Sequence, residues 1–198
     1  GDAFNNVTNQ YWEGEAGINV IPCYQTTKYL EFTPRDMGGG FKGEIPPNSA
    51  LLQQTQRVGS KEILPSGNEL VKSDQHFCLI VDEDGSIQPV VIDMKSTQLK
   101  VSRRWKTQIA MQKMKNPKTG QMVTPPVFAT MWKLRSVEES NDQGSWANWT
   151  LEKVGLVDDR DTFMEAKSFR ESVAAGEAKA APEEVPADNS VANDEIPF

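Results

Sequence analysis

From Ile18 to Pro34 the chain reads INVIPCYQTTKYLEFTP, two apolar runs rich in β-branched and aromatic residues with a polar QTT between them. In the second run Tyr29 and Glu31 alternate with Leu30 and Phe32, the period-two pattern of a half-buried strand with the first pair outward. The following PRDMGGGFKGEIPPNS is loop-like. Gly38, Gly39 and Gly40 admit backbone angles closed to other residues, and Pro46-Pro47 withholds two backbone donors. The polar segment 53–68 is expected to continue that excursion with short pieces of strand. QHFCLIVD and IQPVVIDM, joined by EDGS, form the clearest hairpin in the chain, because Asp84-Gly85 suits a tight turn between apolar runs.

The period then changes. In STQLKVSRRWKTQIAMQKM, Leu99, Trp105, Ile109 and Met114 fall on one helical stripe, and Ser96 or Thr97 stands where a cap is needed. NPKTGQMVTPP ends that helix. VFATMWKLRSV and SWANWTLEKVGLV predict two further strands around the turn EESNDQG. A last helix over about 159–175 begins near Asp158 or Asp161 and carries Phe163 and Phe169.

With the early run counted as one strand, the order is β-β-β-α-β-β, the strand and helix order of an OB-fold. The expected architecture is therefore mainly β with helices: an OB-like five-stranded barrel over 1–157, a helix over 158–175, and a disordered acidic tail over 176–198. The tail is rich in Ala, Glu and Pro and has no apolar stripe whose burial would offset its ordering.

Composition bounds the function. A chain of 198 residues with 37% hydrophobic content, five Trp and eight Phe supports one modest core. It has no apolar run long enough for a transmembrane helix, and GDAFNNVTNQ lacks the basic and apolar regions of a secretory signal, so the cytoplasm is the expected compartment. Cys23, Cys78 and His76 cannot assemble a Cys/His zinc site, and both cysteines are expected to be buried thiols; no metal or cofactor is expected.

Charge changes the picture more. The formal net charge is −7, yet the segment from Glu171 to Phe198 carries seven acids against Lys179 alone. The body is nearly neutral, and the 43 residues from Lys95 to Val137 contain ten Lys or Arg and no Asp or Glu. Lys100, Arg103, Arg104 and Lys106 surround Trp105; Lys133 and Arg135 flank Trp132; Trp146 and Trp149 follow. Cations that track phosphates, together with aromatic faces on which bases stack, are what single-stranded nucleic acid requires. Alternation assigns Trp132 and Leu134 to the core and Lys133 and Arg135 to the nucleic acid. Tyr24, Lys28 and Tyr29 on the early strand, and Arg35, Phe41 and Lys42 in the glycine-rich loop, complete the expected interface, with the loop closing over the bound strand.

A second chemistry competes. Asp84, Asp93 and Lys95 resemble the two-carboxylate and lysine arrangement of Mg²⁺-dependent nucleases of the PD-(D/E)xK type, in which the carboxylates hold the metal and the lysine positions the nucleophile.

The final residues, NDEIPF, resemble the acidic tip of bacterial single-stranded DNA-binding proteins, in which a folded domain is followed by a disordered linker ending in acids plus Ile-Pro-Phe. The layout of the body is similar to that of phage-encoded single-stranded DNA-binding proteins, with GEAGINVIPCY and STQLKVSRRW as the phage-like stretches. The resemblance implies a non-enzymatic protein in the host cytoplasm that coats unwound DNA during replication, recombination and repair. It implies that Asp194, Glu195, Ile196, Pro197 and Phe198 recruit replication and repair proteins, with the tail also able to compete for the basic groove, and homo-oligomers are possible partners. The alternatives are a recombination or annealing mediator, the Mg²⁺-dependent nuclease, and a virion or scaffold protein.

Overall fold

The computed structural model describes residues 1–116, 118–142 and 144–180. A small N-terminal hairpin of β1 (Ala3–Phe4) and β2 (Tyr11–Trp12) leads into the long strand β3 (Ile18–Phe32), then β4 (Phe41–Ile45). The hairpin of β5 (Gln56–Val58) and β6 (Lys61–Ile63) precedes β7 (Glu69–Val81), β8 (Ile87–Lys95) and helix α1 (Gln98–Ala110). A second small hairpin, β9 (Met114–Lys115) and β10 (Met122–Val123), is followed by β11 (Thr130–Asn141), β12 (Gly144–Leu156) and helix α2 (Arg160–Ala174). None of the described helices is long and apolar enough to cross a membrane.

The protein is mainly β with two helices, as its hydrophobic pattern predicts, and two expectations are corrected in detail. QTT does not divide the early run. Its Gln and Thr side chains fit an extended strand, and β3 continues through them, paired with β7 from Val20 to Phe32. The irregularity lies earlier, in a bulge between Pro22 and Tyr24; proline has no N–H to give the ladder, so a bulge there loses little. The stretch after the glycines is also not all loop. Gly38, Gly39 and Gly40 all have positive φ and turn the chain sharply enough for Phe41–Ile45 to pair back on β3.

The large antiparallel sheet runs β12-β11-β3-β7-β6-β5, with β8 also on β7 and β4 on β3. Among the described residues no ladder joins β8 to β12, so the sheet is open between them, and α1 packs against both. One helix packs on each face of the sheet. Trp105 of α1 packs into Ile18, Val20, Cys78, Ile80, Met94, Trp132 and Leu134 on one face. On the other face α2 and the turn at Phe128 cover Ile21, Cys23 and Leu79, with Phe163 and Phe169 packed against them. Cys23 and Cys78 are buried and unpaired, as expected, but on opposite faces. Burial pushes the Cys23 thiol up to about 12.

Candidate nucleic-acid interface

The face under α2 is only partly covered. Phe77 lies two residues from Leu79 and therefore on the same side of β7 as α2. Tyr24 is its cross-strand partner, so Tyr24, Thr26, Lys28, Leu30 and Phe32 share that side of β3 beyond the bulge. α2 crosses Tyr24, and its last turn sets buried Val173 beside the cavity that Tyr24, Thr26 and Lys28 line. Its Arg170 donates to the Cys23 carbonyl at 3.1 Å and places its guanidinium 6.0 Å from the Tyr24 ring centroid. Beyond that point the sheet carries half-exposed rings and cations.

Tyr24 meets buried Phe77 edge to face at 6.1 Å, and Phe41 of β4 rests against Phe32 at 5.5 Å. Lys28 projects between these pairs, and the Lys95 ammonium lies 6.0 Å from the Phe32 ring centroid. Each lysine has a carboxylate: Glu44 is 2.7 Å from Lys28, and Asp93, which also accepts from Ser73, is 3.0 Å from Lys95. The surface thus alternates aromatic rings with cation–carboxylate pairs. Flat rings at fixed positions suit base stacking, and each lysine must exchange a carboxylate for a phosphate to take part.

Other expected interface residues fall elsewhere. Trp105 is completely buried beneath α1, with His76 stacked on it at 4.7 Å, so its assignment to bases is corrected: its indole belongs to the core. Trp132 is core, as alternation predicts. Trp149 packs against the same core, while Trp146, three residues earlier on β12, points to the other side. Tyr29 lies on the opposite side of β3 from Lys28, and Lys42 is the exposed residue that the ladder skips between Phe41 and Gly43. Arg35 is exposed in the turn between β3 and β4, and the expected loop closure through Phe41 is replaced by strand pairing. Lys133 and Arg135 do turn away from the core, but Lys133 is aligned with Asn19, roughly 15 Å along β3 from Tyr24. Arg135 is paired with Glu152 at 2.8 Å.

The acid-free stretch is therefore not acid-free in space. Lys106 is turned inward, 2.7 Å from the buried Asp74 carboxylate. That carboxylate also accepts from Ser102 at 2.6 Å and Thr27 at 2.7 Å, and the Ser102 hydroxyl is 2.8 Å from His76 Nε2. Burial works to raise the Asp74 pKa, but the hydrogen bonds from Lys106, Ser102 and Thr27 and the ammonium charge outweigh it and hold the carboxyl near 2. For His76 burial dominates and pushes the imidazole down to about 4, keeping it neutral. This network fastens α1 to the sheet. Lys100, Arg103 and Arg104, by contrast, stand on the exposed side of α1.

The structure does not assemble the two-carboxylate arrangement. Asp84 lies in the β7–β8 turn, bonded to the Ser86 N–H, whereas Asp93 and Lys95 lie at the far end of β8, about 20 Å away along the strand. Among the described residues no three His, Cys, Asp or Glu side chains group to hold a metal ion. The tip residues Asp194, Glu195, Ile196, Pro197 and Phe198 lie outside the described residues. Pattern reasoning missed Phe32, Phe77 and Arg170 and gave Lys95 to the metal alternative. The one-residue bulge at Cys23 reverses the facing of everything after it on β3, and a proline followed by a small residue was its only signal.

Residues 1–179 match the model of a protein family described as Pam3 phage gp34-like protein, and the chain belongs to that family. No curated protein and no solved structure matches it.

Proposed function

We propose that this protein binds single-stranded DNA with little sequence preference and coats unwound strand during phage DNA replication, recombination or repair. The observation that carries this reading is the open face of β3, β4, β7 and β8, where Tyr24, Phe32 and Phe41 lie half-exposed among Lys28 and Lys95. Every base has a π face, so such a floor accepts any sequence once the bases are unpaired. The antiparallel pairings β11–β3, β3–β7, β7–β8 and β11–β12, with α1 packed across the gap between β8 and β12, support an OB-type domain whose last pair of strands is left apart. Membership of a family named for a phage protein supports the phage setting. In this reading, Asp194 and Glu195 with the terminal Ile196-Pro197-Phe198 recruit partner proteins: Phe198 fills an apolar pocket and the carboxylates meet partner cations.

Titration of a fluorescent oligo-dT at two salt concentrations tests the reading. Binding that weakens with salt is expected, together with a loss of about 1–3 kcal/mol in Tyr24→Ala. Absent binding, or a Tyr24→Ala variant that binds as the wild type does, overturns it.

A further inference from the structure

The cations of α1 are placed against the interests of the helix itself. A helix is stabilised by acids in its first turn and cations in its last. α1 has no acid in its first turn and no base in its last, while Lys100, Arg103 and Arg104 occupy its first half. None of these three has an ion pair among the described residues, and α1 contains no Asp or Glu to supply an i,i+4 partner. Local stability does not account for this arrangement. The three side chains are exposed on the side turned away from the sheet, opposite Ser102 and Trp105. Directly after the helix, Lys113, Lys115 and Lys118 add three more exposed cations on and beside the β9–β10 hairpin. Lys113 donates to the Thr124 hydroxyl at 2.8 Å.

This surface differs from the one built on Tyr24. It lies across the sheet from it, and the two tryptophans of the core under the helix, Trp105 and Trp132, are buried. Exposed cations along a helix contact the sugar–phosphate backbone and have no need of unpaired bases.

We propose that the solvent face of α1 together with the β9–β10 hairpin is a second nucleic-acid surface, one that takes the phosphate backbone of duplex DNA. The charge placement stands by itself; the role of the surface, holding a duplex while the opposite face holds an unpaired strand, rests on the function proposed above. A protein so built occupies junctions between duplex and single strand.

The test uses the full chain and a variant carrying Lys100→Glu, Arg103→Glu and Arg104→Glu, with thermal unfolding followed by circular dichroism to establish that both are folded. A milder Lys100→Gln, Arg103→Gln, Arg104→Gln variant replaces it should the first fail to fold. Each is titrated with a blunt duplex and with oligo-dT of equal length. Duplex affinity is expected to fall at least about tenfold in the charge-reversed variant, and the salt slope for duplex to flatten by up to roughly 3, while oligo-dT affinity stays within about twofold. A wild-type chain that does not bind duplex, or a variant that loses duplex and oligo-dT in equal proportion, overturns the proposal. Wild-type duplex binding that depends on α1, without oligo-dT binding, leaves this surface standing and removes the stacking face.

Discussion

The two faces of the central sheet are closed by helices of opposite construction. α2 follows local rules at its start and along its exposed side, though its last turn, like that of α1, holds no base: Asp159 accepts from the Thr162 N–H at 2.7 Å as its cap, Asp161 stands in its first turn, and Lys167 and Glu171 face each other at i,i+4. α1 obeys none of them. Its cap residue makes no side-chain hydrogen bond, Ser96 before it is forced to a positive φ, and its cations gather at the wrong end. What holds α1 is tertiary: Trp105 in the core, and the chain of hydrogen bonds from His76 through Ser102 to Asp74. A helix fastened from below is free to carry a surface that its own sequence would not favour.

The largest effect should come from removing that fastening. Trp105→Ala empties the centre of the core under α1 and is expected to cost about 3–5 kcal/mol, read as a lower denaturant midpoint. The milder Trp105→Phe should leave oligo-dT affinity unchanged, because no base reaches that ring. A selective loss of DNA affinity in a stable Trp105→Phe protein would contradict the burial assigned to it.

The next effect follows from pH. His76 is held neutral, its pKa lowered from 6.5 to about 4. Its contribution is complete above the unfolded value and is lost as the pH falls from about 6.5 towards 4, since the unfolded chain takes up the proton first. The expected loss is about 3 kcal/mol at most. Unfolding of the wild type and of His76→Gln, compared at neutral pH and at the lower end of that window, isolates it. The variant should show a shallower fall, and equal falls would assign the acid sensitivity elsewhere. Asp74, held near 2, adds its own loss only below the usual carboxylate range.

These two effects concern features that the chain announces unevenly. The hairpin at Asp84-Gly85 and the body of α1 were legible because turn chemistry and a 3.6-residue stripe are local, but the helix ends at Ala110, and Met114, expected on its stripe, stands in β9. β4 was not, because its pairing depends on three positive-φ glycines that read equally well as loop. The binding face was half legible. Tyr24, Lys28 and Phe41 were recognisable as candidates, yet the bulge at Cys23 that sets which side they face shows only in the ladder. The acid-free stretch misled for a related reason: linear sequence separates Lys106 from Asp74 and Arg135 from Glu152, and folding brings them together.

The caps offer a smaller contrast. Asp159→Ala removes the side-chain acceptor of α2 and is expected to cost about 1 kcal/mol, with faster hydrogen exchange confined to the first turn of α2. Thr97→Ala, at the cap position of α1, should cost almost nothing because its side chain makes no capping bond. Equal losses in the two variants would mean that α1 depends on its cap after all.

The smallest effect separates the two surfaces by charge alone. On the open face Lys28 is shared with Glu44, both partly exposed, so the pair itself contributes little to stability. Its carboxylate nevertheless stands where a phosphate must arrive. Glu44→Gln keeps an acceptor for the ammonium and removes the negative charge, so oligo-dT binding should tighten by about 0.2–1 kcal/mol, up to roughly fivefold. Glu152→Gln, which frees Arg135 of the same kind of partner far from Tyr24, is the control and should leave oligo-dT affinity where it was. Duplex affinity should barely respond to Glu44→Gln, since the α1 surface lies across the sheet. If Glu152→Gln tightens oligo-dT as much as Glu44→Gln does, the strand is answering to overall charge rather than to the ring-and-lysine floor between Tyr24 and Phe41.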